Sequence, residues 1–277
     1  MTDSTRPPTG TDDVRVTATE AGVVIEVTVA APVETVWSHL RDPELIHRWH
    51  GWDYDGLADE IEVIYTRHVH EDAAAHVLRT RGGPAPGSVE LGDRFDLRPA
   101  DPDDPGGATV VRITRGPQGT DDDWDAMYDD ITQGWVSFLA QLRFAIEQHP
   151  GDDRRTVFCG SFAGPSTPAR HLLGLVALRP GEPYAIAPAP GLPLAGRVWF
   201  CTDDQVGLAV DDYGPGLVVV ADKPGDLPGT AATSMIIVST FGLPDAKFAG
   251  IEAGWHAWWA DHFSTPDDPA TTVDGPG

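Results

Sequence analysis

Residues 131–140, ITQGWVSFLA, and residues 251–260, IEAGWHAWWA, read alike: each is helical in pattern and sets a glycine beside a tryptophan. A glycine inside a helix costs about 0.5–1 kcal/mol relative to alanine, so the same choice made twice needs a reason. The two stretches are offset by 120 residues. The same offset pairs Asp125 with Asp245, Tyr128 with Phe248, Ile131 with Ile251, Gly134 with Gly254, Trp135 with Trp255 and Phe138 with Trp258. A Gly-Trp pair inside matched apolar spacing predicts two copies of one structural unit.

In the first copy, Trp124, Met127, Tyr128, Ile131, Trp135, Phe138, Leu139, Leu142 and Ile146 keep the three-four spacing of one broad apolar face. The acidic run 121–123 stands where a helix dipole favours negative charge, and the prolyl-glycine at 150–151 closes the helix. In the second copy the helix is expected from Pro244 to about Phe263. Upstream, VVIEVTVA (23–30) alternates as a strand, and two short helices follow in APVETVWSHL and RDPELIHRW, the second capped by Asp42 with Pro43 at its first position. Leu57, Ile61, Ile64 and Tyr65 predict a third short helix, and HVLRTR, RFDLRP and TVVRITR predict strands. The second copy opens differently, with TPARHLLGLVAL (167–178) as one helix and LRPGEPYAIAPAPGLPLAG (178–196) as a long connection. Strands follow at RVWFCT, VGLAV, LVVVAD and TSMIIVSTF, so this copy reads as degenerate.

The chain has 277 residues and a formal net charge of −24, with Lys223 and Lys247 its only lysines. Such a charge repels phosphate, which argues against nucleic acid and anionic membrane surfaces as partners. No apolar run approaches a membrane span, no leader pattern is seen, and two cysteines make no disulfide framework, so a cytoplasmic location is expected. Residues 1–21 and 264–277 lack a periodic apolar face and are expected to be unfolded tails.

The densest unusual stretch is HRWHGWDYDG (47–56), in which Trp49, Trp52 and Tyr54 alternate with His47, His50, Asp53 and Asp55. It suits either the mouth of a pocket or a tryptophan-anchored junction between helix and sheet. His68, His70 and His76 lack the cysteine or carboxylate that would complete a metal set, so no metal is expected. Cys159 and Cys201 lie in apolar strands and read as core residues, and no Gly-x-Ser-x-Gly elbow is present. Asp125 or Asp129 would serve as a general base only if burial raised its pKa.

APVETVWSHLRDPELIHRWHGW (31–52) and WDAMYDDITQGWVSFLAQLRFAIE (124–147) together resemble the activator-of-heat-shock-ATPase-like branch of the START-like (SRPBCC) superfamily. The resemblance implies an α+β fold of two helix-grip domains, each a curved antiparallel sheet closed by a long C-terminal helix. The expected boundaries are 22–149 and 157–263, with 150–156 as linker. It implies an apolar cavity between the sheet and the last helix of the first domain, with Trp37, Trp49, Trp52, Tyr54, Phe95, Met127, Ile131, Gly134 and Trp135 as candidate lining. The expected function is non-catalytic binding of a small apolar or amphipathic molecule, without cofactor, the two domains meeting as an intrachain pseudo-dimer. A cyclase or dehydratase using the same cavity and a chaperone-cofactor-like interaction module are the alternatives.

Overall fold

The computed structural model describes residues 14–19, 22–80, 92–116, 122–161, 167–223 and 233–263, the side chains of 122–130 and 161 excepted. The first unit runs β1 (Arg15–Thr19), β2 (Gly22–Val29), α1 (Val33–Arg41), α2 (Pro43–His47), α3 (Leu57–Glu62), β3 (Val69–Asp72), β4 (Val77–Thr80), β5 (Arg94–Pro99), β6 (Thr109–Arg115) and α4 (Asp122–Gln148). The second runs β7 (Arg154–Ser161), α5 (Ala169–Leu172), β8 (Pro183–Ile186), β9 (Leu194–Cys201), β10 (Gln205–Val210), β11 (Gly216–Lys223), β12 (Thr233–Phe241) and α6 (Asp245–His262). Each unit is an antiparallel six-stranded sheet, ordered β1-β2-β6-β5-β4-β3 in the first and β7-β12-β11-β10-β9-β8 in the second. With β1 and β8 set aside as added edges, the two orders coincide: the first strand pairs with the last, and the rest step back in sequence. Each unit ends in its longest helix. The α+β helix-grip class expected from the sequence is therefore what the chain builds.

The layers stack unequally. α4 covers the first sheet with Trp135, and its opposite side lies against the second sheet, where Phe144 meets Trp199 at 5.0 Å and Phe241 at 6.0 Å. α6 covers the far face of the second sheet with Ile251, Trp255, Trp258 and Trp259. The second sheet is thus buried on both faces. That is why β11 opens with a continuous apolar run, GLVVVA, buried throughout rather than alternating, before the buried Asp222. The contact between α4 and this sheet is partly polar: Gln133, Ser137 and Gln141, spaced one turn apart, bond to Gln205 or Ser239.

Several expectations need correction. The expected tail 1–21 contains β1, paired from Arg15↔Glu26 to Thr19↔Gly22. All five residues of β1 are exposed, so no apolar alternation marks it in the sequence. The expected linker 150–156 ends early, because Arg154 to Thr156 already belong to β7. The helix expected over 167–178 is a single turn, α5, stopped near Gly174 at φ +70°. The long connection contains β8, with Pro183 at its first position on the sheet edge, where a missing N–H is tolerated.

The paired glycines have different surroundings. A methyl group at Gly254 would stand 2.7 Å from Leu192 Cδ2 and 2.9 Å from its Cγ, so here the helix needs the lost volume. At Gly134 the nearest such contact is the Phe138 ring at 3.8 Å, an ordinary distance.

Candidate functional site

The stretch 47–56 divides its side chains between the two units. The backbone N–H of His50 still bonds to the Ile46 carbonyl at the end of α2, and Gly51 then turns the chain at φ +55°, a conformation that favours glycine. His50 consequently points into the first unit, whereas Trp52 lies against the second.

His50 is wholly buried and held on both sides of its ring. Its Nδ1 is 3.0 Å from Tyr65 Oη and its Nε2 is 3.2 Å from Glu60 Oε1, while Tyr54 Oη donates to the other oxygen of Glu60. Burial lowers the pKa of His50 against the opposing pull of Glu60, and the hydrogen bond from His50 holds the Glu60 carboxyl below its usual value. A neutral imidazole donating from Nε2 to the carboxylate and accepting at Nδ1 from Tyr65, whose own pKa burial raises well above normal, satisfies every group. Around this chain the rings of Trp49, Phe95, Trp135 and Phe138 close in, with Phe138 4.7 Å from His50 and Phe95 5.1 Å from Trp135. Trp135 Nε1 donates to Asp93 Oδ2 at 2.7 Å, and Arg115 Nε donates to Asp93 Oδ1 at 2.8 Å.

Trp49, Phe95 and Trp135, expected to line a cavity, are 0, 0 and 5 % exposed and pack on one another's neighbours, so at this level rings fill the space between sheet and helix. Trp37 stands apart, edge-on to His76 at 5.5 Å. Tyr54 and Ile131 are exposed, Gly134 lies beside Phe138, and the Met127 side chain is outside the described residues, as are those of Asp125 and Asp129. Of the three histidines weighed for metal, His70 lies in exposed β3 and His76 bonds to Glu34; among the described residues no group of three ligands is placed to share an ion. Burial pushes the Cys159 thiol up to about 12, in keeping with a core residue.

Among the described residues, an open space lies between the units. A cleft of about 160 Å³ is bounded by Trp52 and Gln133 from the first unit and by Phe158, Gly160, Ala221 and Met235 from the second. Asp204, Asp222, Lys223, Thr233 and Ser234 complete its lining, Asp222 and Ser234 being buried and bonded to each other. Phe158 lies flat along β7 because residue 160 is glycine: a methyl group there would come within 2.7 and 2.9 Å of the ring carbons. Trp52 then stacks on Phe158 at 3.9 Å, nearly parallel at 8°. Reciprocal bonds fix the Trp52 segment in place, Asp53 N–H to Thr156 Oγ1 at 2.6 Å and Thr156 N–H to Asp53 Oδ2 at 2.7 Å. Arg154, buried and pushed down to about 10 by burial, donates to the carbonyls of Trp49 and His50 at 2.9 and 2.6 Å. Glu60, Phe158 and Gly160 carry no site signal in the sequence, and Tyr65 reads there only as part of a helical face; the glycine inside the strand VFCGSF is the one available sign of close approach.

No family model matches the chain, and no curated protein matches it. Among solved structures it is similar to DynU16, a putative protein in the dynemicin biosynthetic locus, at 15 % identity over 86 % of this chain and 96 % of that one, with a TM-score of 0.31. It is similar also to the di-domain ARO/CYC BexL from the BE-7585A biosynthetic pathway, at 12 % identity over 88 % and 98 % of the two chains, TM-score 0.36. A conserved protein of unknown function from Enterococcus faecalis, EF2215, matches at 14 % identity over 49 % and 77 %, TM-score 0.28. At these values the likeness adds nothing to what the strand order shows by itself.

Proposed function

We propose that this chain is a START-like binding protein that holds a small apolar or amphipathic molecule without transforming it. The observation that carries the proposal is the cleft between Trp52 and the second sheet, a mostly apolar recess whose buried polar residues Asp222 and Ser234 are already bonded to each other. Its volume is close to the roughly 150 Å³ of an engineered apolar cavity that takes up benzene, so it accepts one ring or the apolar end of a larger molecule. The site therefore lies beside the cavity expected within the first unit, at the seam where the two units meet as an intrachain pseudo-dimer. The shared strand order supports descent of both units, about 15–149 and 154–263, from one duplicated domain. The net charge of −24 supports a partner other than nucleic acid or an anionic membrane.

A cyclase-type reading has one observation in its favour, the Tyr54–Glu60–His50–Tyr65 chain, which could move a proton. However, His50 and Tyr65 are both 0 % exposed and already partnered, so no substrate atom reaches them and the chain serves packing better than turnover. Native mass spectrometry of protein purified without denaturant tests the proposal. A retained small molecule is expected, and protein that is bare however it is prepared counts against it.

A further inference from the structure

We infer that the cleft selects an uncharged aromatic ring over a saturated ring of the same size; this rests on the binding function proposed above. The wall of the cleft is a two-ring stack assembled from both units, Phe158 laid over Gly160 and Trp52 laid over Phe158 at 3.9 Å. A stack of this kind presents π faces and ring edges, to which another aromatic ring adds in an offset or edge-on geometry that a saturated ring cannot copy. Trp52 and Phe158 hold this geometry before any ligand arrives, since the Asp53–Thr156 bonds pin one ring and the strand carries the other. Ala221 and Met235 add apolar contact, and the volume of about 160 Å³ limits the bound part to about one ring. Charge sets the remaining preference. Two carboxylates, Asp204 and Asp222, line the cleft against one ammonium, Lys223, and the chain as a whole carries −24, so an aromatic carboxylate approaches against the field.

Met235 reports on the cleft directly, being one of only three methionines in the chain. The full-length protein, labelled with carbon-13 in its methionine methyl groups, is titrated separately with phenol, cyclohexanol and benzoate, the Met235 signal being assigned with Met235→Leu. The inference expects phenol to shift that signal saturably and to bind about fivefold or more tighter than cyclohexanol, with benzoate weaker than phenol. Gly160→Ala, which must displace the Phe158 ring, and Trp52→Leu, on the surface segment, should each abolish the preference for phenol over cyclohexanol. Cyclohexanol binding as tightly as phenol overturns the aromatic selectivity while leaving the cleft a binding site. Benzoate binding tighter than phenol overturns the charge preference. If no probe moves Met235, the cleft itself is refuted as the site, even where native mass spectrometry finds a molecule retained elsewhere.

Discussion

Gly134 and Gly254 occupy equivalent places in two helices and answer to different neighbours. Among the described residues a methyl group at Gly134 meets only the Phe138 ring at 3.8 Å, so Gly134→Ala should gain about 0.5–1 kcal/mol from helix propensity. Gly254→Leu drives a side chain into Leu192 and should cost about 1–3 kcal/mol. Thermal melts of both variants check this; a destabilised Gly134→Ala or a neutral Gly254→Leu would contradict the packing described. His50 sets a second expectation. Burial holds its folded pKa below the ordinary histidine value of 6.5, so below that pH the unfolded chain binds the extra proton and stability falls. The loss begins as pH drops through about 6.5, with a slope of at most about 1.4 kcal/mol per pH unit for one proton. His39, lowered by burial as well, adds in the same direction. Glu60, a carboxyl with a lowered pKa, contributes only as pH falls below its ordinary value of 4.5. Denaturation midpoints from pH 7 to pH 5 should show a shallower decline in His50→Gln than in wild type, and identical slopes would refute the assignment.

At the scale of elements, Arg154 ties the first strand of the second unit to the end of the Trp49–His50 turn through two backbone carbonyls. Arg154→Met leaves both acceptors buried without a donor and should cost about 2–4 kcal/mol, read as a shift in urea midpoint at unchanged slope. A midpoint equal to wild type would show that the tie is dispensable. Elements with clean patterns were legible in the sequence. RFDLRP, TVVRITR and TSMIIVSTF coincide with β5, β6 and β12, because alternating or continuous apolar runs mark strands whatever lies around them. β1 was not legible, since an exposed edge strand is held by backbone bonds alone. The helix expected over 167–178 overruns α5 because Leu172, Leu173, Leu175 and Val176 keep helical spacing past the glycine that stops the helix. The site was half legible. The aromatic residues of 47–56 stood out, but periodicity cannot distinguish a ring packed on another ring from a ring lining a void. Phe158 and Gly160 lie more than 100 residues from Trp52, and only the fold brings the three together.

Across the whole molecule, α4 belongs to two cores at once. Leu217, Val219, Ile237 and Phe241 of the second sheet join the same apolar cluster as the first unit's Trp135 and Leu139. Separating the units would expose that face, so the chain should unfold in one cooperative calorimetric transition rather than two; resolved transitions would mean that the units are energetically independent. The same arrangement creates the cleft, which neither unit would possess alone. The proposed function puts the ligand in this cleft. Its most direct test is native mass spectrometry of wild type beside Ala221→Phe, which fills the recess from the second sheet, with melting curves confirming that both are folded. A small molecule is expected to be retained by wild type and absent from the filled variant. An equal retained mass on both proteins would contradict it.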